Sequence, residues 1–282
     1  MAQLEPELRV ISPDEAPAVV TLMRKIGWMY AVEQTQHNIT LGGQGSFCLA
    51  FDKEIVATAL ALKYSSRLAW VGMVISDPAY QRRGFARRLM NHVMGYLSDV
   101  ESVMLDASTL GFPLYDSMGY QSLYKIYVYS GAANYFAPAN NIRPMTVADL
   151  PTVIDMDSLI MGLARPQVIT WLFEVGEGYV VTDSGKITGY MFTRTQVAAL
   201  RMVAWNAANQ FAAESLLEFA STLAAQAGLA LETLTPEPSQ AAREIAERHG
   251  LTIERALTRM VYGKQPPGHM SEQYGIIAFM TG

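Results

Sequence analysis

The second half of the chain repeats the first, and this duplication limits the possible folds more than any other feature. "FCLAFDKEIVATALALK" (47–63) returns as "GYVVTDSGKITGYMFTR" (178–194), "GMVISDPAYQRRGFARRLM" (72–90) as "RMVAWNAANQFAAESLLEF" (201–219), and "DSMGYQSLYKIYVYSG" (116–131) as "ERHGLTIERALTRMVYG" (247–263). All these pairs keep an offset of roughly 130 residues, which unrelated coincidences do not share. Between the copies lies "GAANYFAPANNIRP", rich in Ala, Asn, Gly and Pro, with the composition of a linker. The expected organisation is a first domain over 1–130, a linker over 131–144 and a second domain over 145–282. A length of 282 residues suits two ordinary domains.

Within the first copy the pattern alternates between helical and extended periods. Ser12 as N-cap and Pro13 at the first helical position open a helix over 12–28. "GSFCLAFDKEIVATALALKY" reads as two strands around a turn at Asp52-Lys53-Glu54, and "RLAWVGMVIS" as a third, apolar strand. "GFARRLMNHVMGYL" places Phe85, Leu89, His92, Val93 and Leu97 on one helical side. "SVMLDAS" is a buried strand, "PLYDSM" a short helix between Pro113 and Gly119, and "YQSLYKIYVYS" a closing strand. The order α, β, β, β, α, β, α, β predicts an α/β fold with a mixed sheet, present twice.

Composition narrows the function. Half of the residues are hydrophobic and 17% charged, so a sizeable core is expected rather than disorder. A net charge of -5 works against nucleic-acid binding, which needs a wide basic surface. The opening "MAQLEPELRV" lacks the basic and apolar run of a signal peptide, and no later segment reaches the apolar length of a membrane span. With one cysteine, Cys48, no internal disulfide is possible, and a cytoplasmic protein is expected. His37, His92, His249 and His269 show no metal-ligand spacing, so no metal is expected. Cys48 and His92 are read as core residues.

One stretch of the first copy carries chemistry. In "VISDPAYQRRGFARRLM" a strand, a tight loop containing Gly84 and a helix follow one another. Unpaired backbone N–H groups at such a helix start, aided by the helix dipole, accept phosphate oxygens. Glycine at 84 lets the backbone approach an anion, and Ala86 keeps the next turn small. The second copy has "NAANQFAAESL" there, shorter by about three residues and without the glycine or any arginine. One anion site per chain is therefore expected, in the first copy.

The pattern Gln81-Arg82-Arg83-Gly84-Phe85-Ala86 after a strand, followed by "LDASTLGFPLYDSMGY", resembles the GNAT superfamily of acyl-coenzyme A dependent N-acetyltransferases over roughly residues 8 to 130. The second half resembles the degenerate C-terminal copy of tandem GNAT proteins, through Asp157, Gly162 and Arg165, the run "RMVA", and the endings "TRMVYGKQPPG" and "YGIIAFMTG". Trp205 and Asn206 depart from that pattern.

The resemblance implies two mixed, mostly antiparallel sheets flanked by helices, and acetyl-CoA as the cofactor. Its pantetheine would pair with the backbone of Val74, Ile75 and Ser76, and its pyrophosphate with N–H groups from Gln81 to Ala86, Phe85 included. Arg82, Arg83 or Arg87 would add charge, Arg88 would face solvent, and Ser108 would contact the cofactor. Tyr115 occupies the position of the family's general acid. For the base, Asp106 and a water relay to a more distant carboxylate both stand open. Trp28, Met29 and Tyr30 either line the acceptor pocket or pack as core. The implied reaction is direct acetyl transfer in a ternary complex to a primary amine of a small molecule or a protein, by a monomer or a homodimer. A non-catalytic acyl-CoA sensor is the alternative.

Overall fold

The run "EIVATALALK" is apolar on both faces, and it forms the strand Glu54–Lys63 with eight consecutive buried residues, as a strand covered on both sides must. The computed structural model of the chain describes residues 5–137, 139–270 and 272–282. The first four residues of the N-terminal stretch, Pro138 of the linker and Ser271 lie outside the described residues.

The first half runs β1 (Glu7–Val10), α1 (Ala16–Lys25), α2 (Val32–Gly42), β2 (Ser46–Phe51), β3 (Glu54–Lys63), β4 (Leu68–Ser76), α3 (Phe85–Tyr96), β5 (Ser102–Ala107), α4 (Phe112–Asp116) and β6 (Gln121–Gly131). The second half runs β7 (Ile142–Pro144), α5 (Leu150–Met161), α6 (Pro166–Val175), β8 (Glu177–Asp183), β9 (Lys186–Thr195), β10 (Ala199–Ala207), α7 (Gln210–Gln226), β11 (Ala230–Pro236), α8 (Gln240–Arg248) and β12 (Thr252–Gly263). The two lists match element for element, as the duplication predicts.

Three elements differ from the sequence reading. The first helix is shorter than 12–28, because Gly27 takes a left-handed φ of 80° just after α1. The short strand β1 and the polar helix α2 carry too few periodic apolar residues to stand out. The linker is more than a spacer: the backbone N–H groups of Asn134 and Phe136 donate to Ser221 and Thr222 of α7 at 2.8 and 3.1 Å, and β7 pairs with β8.

All strands join one sheet in the order β1-β2-β3-β4-β5-β12-β6-β11-β10-β9-β8-β7. Only β4–β5 and β10–β11 pair in parallel among the described strands. The closing strands are exchanged between the halves: β12 lies against β5, while β6, its counterpart, lies against β11. The division at 131–144 therefore describes the repeat in sequence, whereas each half's sheet is completed by the other's last strand. Helix α3 covers one face of the first half and α1 the other, each over its own apolar cluster. A further cluster of Leu62, Trp70, Met104, Met161, Val261 and Met270 joins the halves.

Candidate active site

The parallel pair β4–β5 holds only through Leu68–Trp70 and Ser102–Met104, and beyond it the strands part. The cause is a bulge in β4. Register with β3 shifts between Thr58 and Leu60, Met73 takes φ 50°, and the Thr58 hydroxyl donates to the Met73 carbonyl at 2.7 Å. Past the strand, Asp77 caps the next turn through the Ala79 N–H at 2.9 Å and takes the Lys25 ammonium at 2.5 Å. Arg82 and Gly84 then adopt φ of 62° and 78°, and α3 starts at Phe85 with no side chain capping it. No atom lies within 4 Å of where a Gly84 Cβ would stand, so an anion can meet the backbone there.

These features open onto one cleft of about 1150 Å³. It is lined by Val74, Ile75, Ser76, Gln81, Arg82, Gly84, Phe85, Ala86, Arg87, Ser108 and Tyr115, and also by Trp28, Met29 and Tyr30, which follow α1 rather than end it. The Ser76 hydroxyl is buried without a hydrogen-bond partner, in a residue that lines the cleft. Tyr115 is buried, its ring edge-on to Tyr120 at 5.9 Å, and burial pushes its phenol above the ordinary tyrosine range. Ser108 accepts from the Gly111 N–H at 3.1 Å and so shapes the turn into α4.

Arg83 is not among the lining residues: its guanidinium lies 5.5 and 5.2 Å from the ring centres of Tyr80 and Phe85. Arg87 lines the cleft and also donates to the Ser117 hydroxyl at 2.6 Å, while Arg88 is paired with the exposed Glu5. Asp106 does not fit the role of base. Its two oxygens accept from Nε and Nη2 of Arg259 at 2.9 Å each, and both side chains are 0% exposed. A carboxylate so held stays with its partner. Cys48 is buried, and burial pushes its thiol up to about 11. His92, expected in the core, is exposed, with its ring edge against Phe47 at 4.6 Å.

Asp106 lines the cleft as well, and six lining residues belong to the second half: Gln196, Arg201, Arg255 and Leu257, with Phe279 and Met280 of the C-terminal segment. Strand exchange places β12 beside the cleft. The C-terminal segment follows, with Met280 packed on the bare Cα of Gly72 and the Phe279 carbonyl accepting from the Trp70 indole at 3.1 Å. No motif in the sequence links these residues to the first copy.

The same splay exists in the second half but is filled. Ala204 takes φ 50° at the matching bulge in β10, and there the chain's own segment bridges the parting strands. Gly275 N–H donates to Trp205 O at 2.8 Å, Ala204 N–H to Ile276 O at 3.2 Å, and Ile276 N–H to Leu234 O at 2.9 Å. Trp205 and Asn206 are buried, donating to Ala213 O and the Tyr190 hydroxyl, both at 3.0 Å. At the helix start, Asn209 caps α7 by accepting from the Ala212 N–H at 2.9 Å. Asp157 and Arg165 form a buried pair whose guanidinium also donates to the Thr281 carbonyl at 2.6 Å, and Gly162 meets the Gly268 backbone. The sequence pattern of the second half thus anchors the segment that plugs its own site.

A sheet splayed at a bulged strand, leading to an uncapped glycine loop, is the arrangement that the resemblance led one to expect. Comparison with known proteins agrees. The family model described as "Acetyltransferase (GNAT) family" matches residues 20–120, and that described as "Acetyltransferase (GNAT) domain" matches residues 153–275. The chain belongs to the GNAT acetyltransferases and carries two GNAT domains in tandem. It is 26% identical over 124 residues to the uncharacterized N-acetyltransferase YitH of Bacillus subtilis (strain 168), a match covering 44% of each chain.

Its fold is similar to that of an acetyltransferase-like protein of Pyrococcus horikoshii (TM-score 0.86, 19% identity, 100% of this chain and 98% of that one). A GCN5-related N-acetyltransferase of Sphaerobacter thermophilus is also similar (TM-score 0.65, 16% identity, 98% of each chain). So is a tandem GNAT protein from the clavulanic acid biosynthesis pathway (TM-score 0.64, 12% identity, 92% and 99%). Among the described residues no helix is long and apolar enough to cross a membrane.

Proposed function

We propose that the chain transfers an acetyl group from acetyl-CoA to a primary amine, by direct attack within a ternary complex in the first-half cleft. The observation that carries this reading is the single cleft that joins the β4 bulge, the open Gly84 loop and Tyr115. Bound acetyl-CoA would supply an activated acetyl thioester. The residues present suit it: the uncapped start of α3 at Phe85 would meet phosphate oxygens with its backbone N–H groups, with the charge of Arg82 and Arg87 beside them. The parted edge of β4 at Val74–Ser76 offers backbone groups and the unpartnered Ser76 hydroxyl to the amide-bearing arm.

The β4 backbone at the bulge is the nearest source of an N–H donor for charge that develops on the carbonyl oxygen. Tyr115 keeps its proton at neutral pH because burial disfavours the phenolate, and it is available to protonate the departing sulfur. An amine substrate is mostly an ammonium at neutral pH, so it sheds a proton before attack. With Asp106 tied to Arg259, that proton leaves by water in the open cleft. The second half takes no cofactor, because its splay holds residues 275–276.

The test is acetyl-CoA binding by calorimetry with thiol release across a panel of amines. Release with at least one amine is expected. Binding without turnover on any amine would favour a sensor, and no binding would end both readings.

A further inference from the structure

The acceptor end of the cleft is positively charged, and the charge comes from the second half. Arg201 on β10 stands directly across from Arg194 on β9, a like-charge pair that costs stability in a sheet. Its other neighbour, Glu232 on β11, pairs with the Arg201 Nε. Arg255 on β12 has no carboxylate within ion-pair distance among the described residues, and its guanidinium rests over the Phe279 ring at 5.6 Å. Of these three guanidinium groups only that of Arg201 has a carboxylate partner among the described residues, in a chain whose net charge is -5.

Their position separates them from the phosphate end. Met260 of β12 packs in the cluster under α3, on the face of the sheet that carries the Gly84 loop. Strand alternation turns Arg255, Leu257 and Arg259 to the opposite face, where Arg259 lies 4.6 Å from the Trp70 ring. Tyr30 stands on that side too. Burial raises its phenol, and the positive charges of Arg201, Arg255 and Arg194 partly offset that rise; Tyr30, Arg201 and Arg255 line the same cleft. A group bound there belongs to the acceptor.

We propose that the acceptor is a primary amine carrying an anionic group, a carboxylate or a phosphate, which Arg255 binds with the help of Arg201. This rests on the transferase reading above and names its substrate class. The free guanidinium fork of Arg255 matches two oxygens of such a group. The fork rests over the Phe279 ring, and Tyr30 lines the same cleft.

The test uses the full chain saturated with CoA for binding, and with acetyl-CoA for thiol release. The probes are matched amines: L-leucine against L-leucinamide, L-lysine against cadaverine, and O-phosphoethanolamine against ethanolamine. The anionic member of at least one pair is expected to bind and react about tenfold better or more, and the pair that responds tells carboxylate from phosphate. Arg255→Gln should erase that preference and Arg255→Lys restore part of it, with circular dichroism confirming that both variants fold. Equal use of both members, or no use of any anionic probe while acetyl-CoA binds, overturns the inference and leaves the cofactor reading intact. Failure to bind acetyl-CoA overturns the transferase reading and the inference with it.

Discussion

Tyr115 and Gly84 carry the proposed chemistry in different ways, one through a proton and the other through the lack of a side chain. Tyr115→Phe removes the proton donor and keeps the ring against Tyr120, so kcat is expected to fall by about 100-fold with little change in stability. Steady-state kinetics with thermal unfolding reads both, and an unchanged kcat would remove Tyr115 from the mechanism. Gly84→Ala meets no neighbouring atom, so its structural cost is the left-handed backbone, about 1–2 kcal/mol. Its larger effect is expected on acetyl-CoA, with affinity reduced tenfold or more in calorimetry, because under the proposed function the new methyl would stand in the path of the pyrophosphate. The position of both residues at the cleft was legible in the sequence, since each sits in a contiguous motif set by local backbone geometry. Asp106 was not, because its role depends on Arg259, 153 residues away.

At the scale of elements, the two parallel strand pairs behave alike and have been put to different uses. Both bulge and part, yet β4–β5 opens a cleft while β10–β11 is closed by residues 275–276 and by Trp205. The lost glycine and arginines already marked the second loop as unfit for phosphate; that the chain itself fills the space required the fold. The Asp106–Arg259 pair stitches β5 to the exchanged strand β12. Asp106→Asn leaves a buried guanidinium without its charge partner, with an expected loss of about 3–5 kcal/mol. The double variant Asp106→Leu/Arg259→Met should recover most of that loss. Chemical denaturation of Asp106→Leu, Arg259→Met and the double variant measures the coupling, and additive losses would show that the pair is not the cause.

At the scale of the molecule, the halves also meet where His37 of α2 stacks on Trp171 of α6 at 4.1 Å, with Arg194 over the same indole at 4.9 Å. Burial, with the nearby Arg194 charge, lowers the His37 pKa from 6.5 to about 4. The unfolded chain therefore takes up a proton below pH 6.5 that the folded chain refuses until about pH 4. Stability contributed by this contact is present above that window and is lost as the pH falls through it. His37→Asn should flatten the Tm profile between those limits; an unchanged slope would assign the acid sensitivity to other groups.

What the amino-acid sequence determined by itself was local or repeated: the duplication, the order of most helices and strands in each copy, and the strand, glycine loop and helix that open onto the cleft. These follow from hydrophobic period, turn chemistry and backbone freedom, all written within short runs of residues. The tertiary structure alone decided which closing strand each half receives, which splay stays open, and which second-half arginines line the cleft. β6 and β12 are alike in pattern, so nothing within either states which sheet it joins. Only the packing of distant side chains, such as Asp106 on Arg259 and Met280 on Gly72, selects one arrangement, and contacts between residues so far apart leave no period in the sequence.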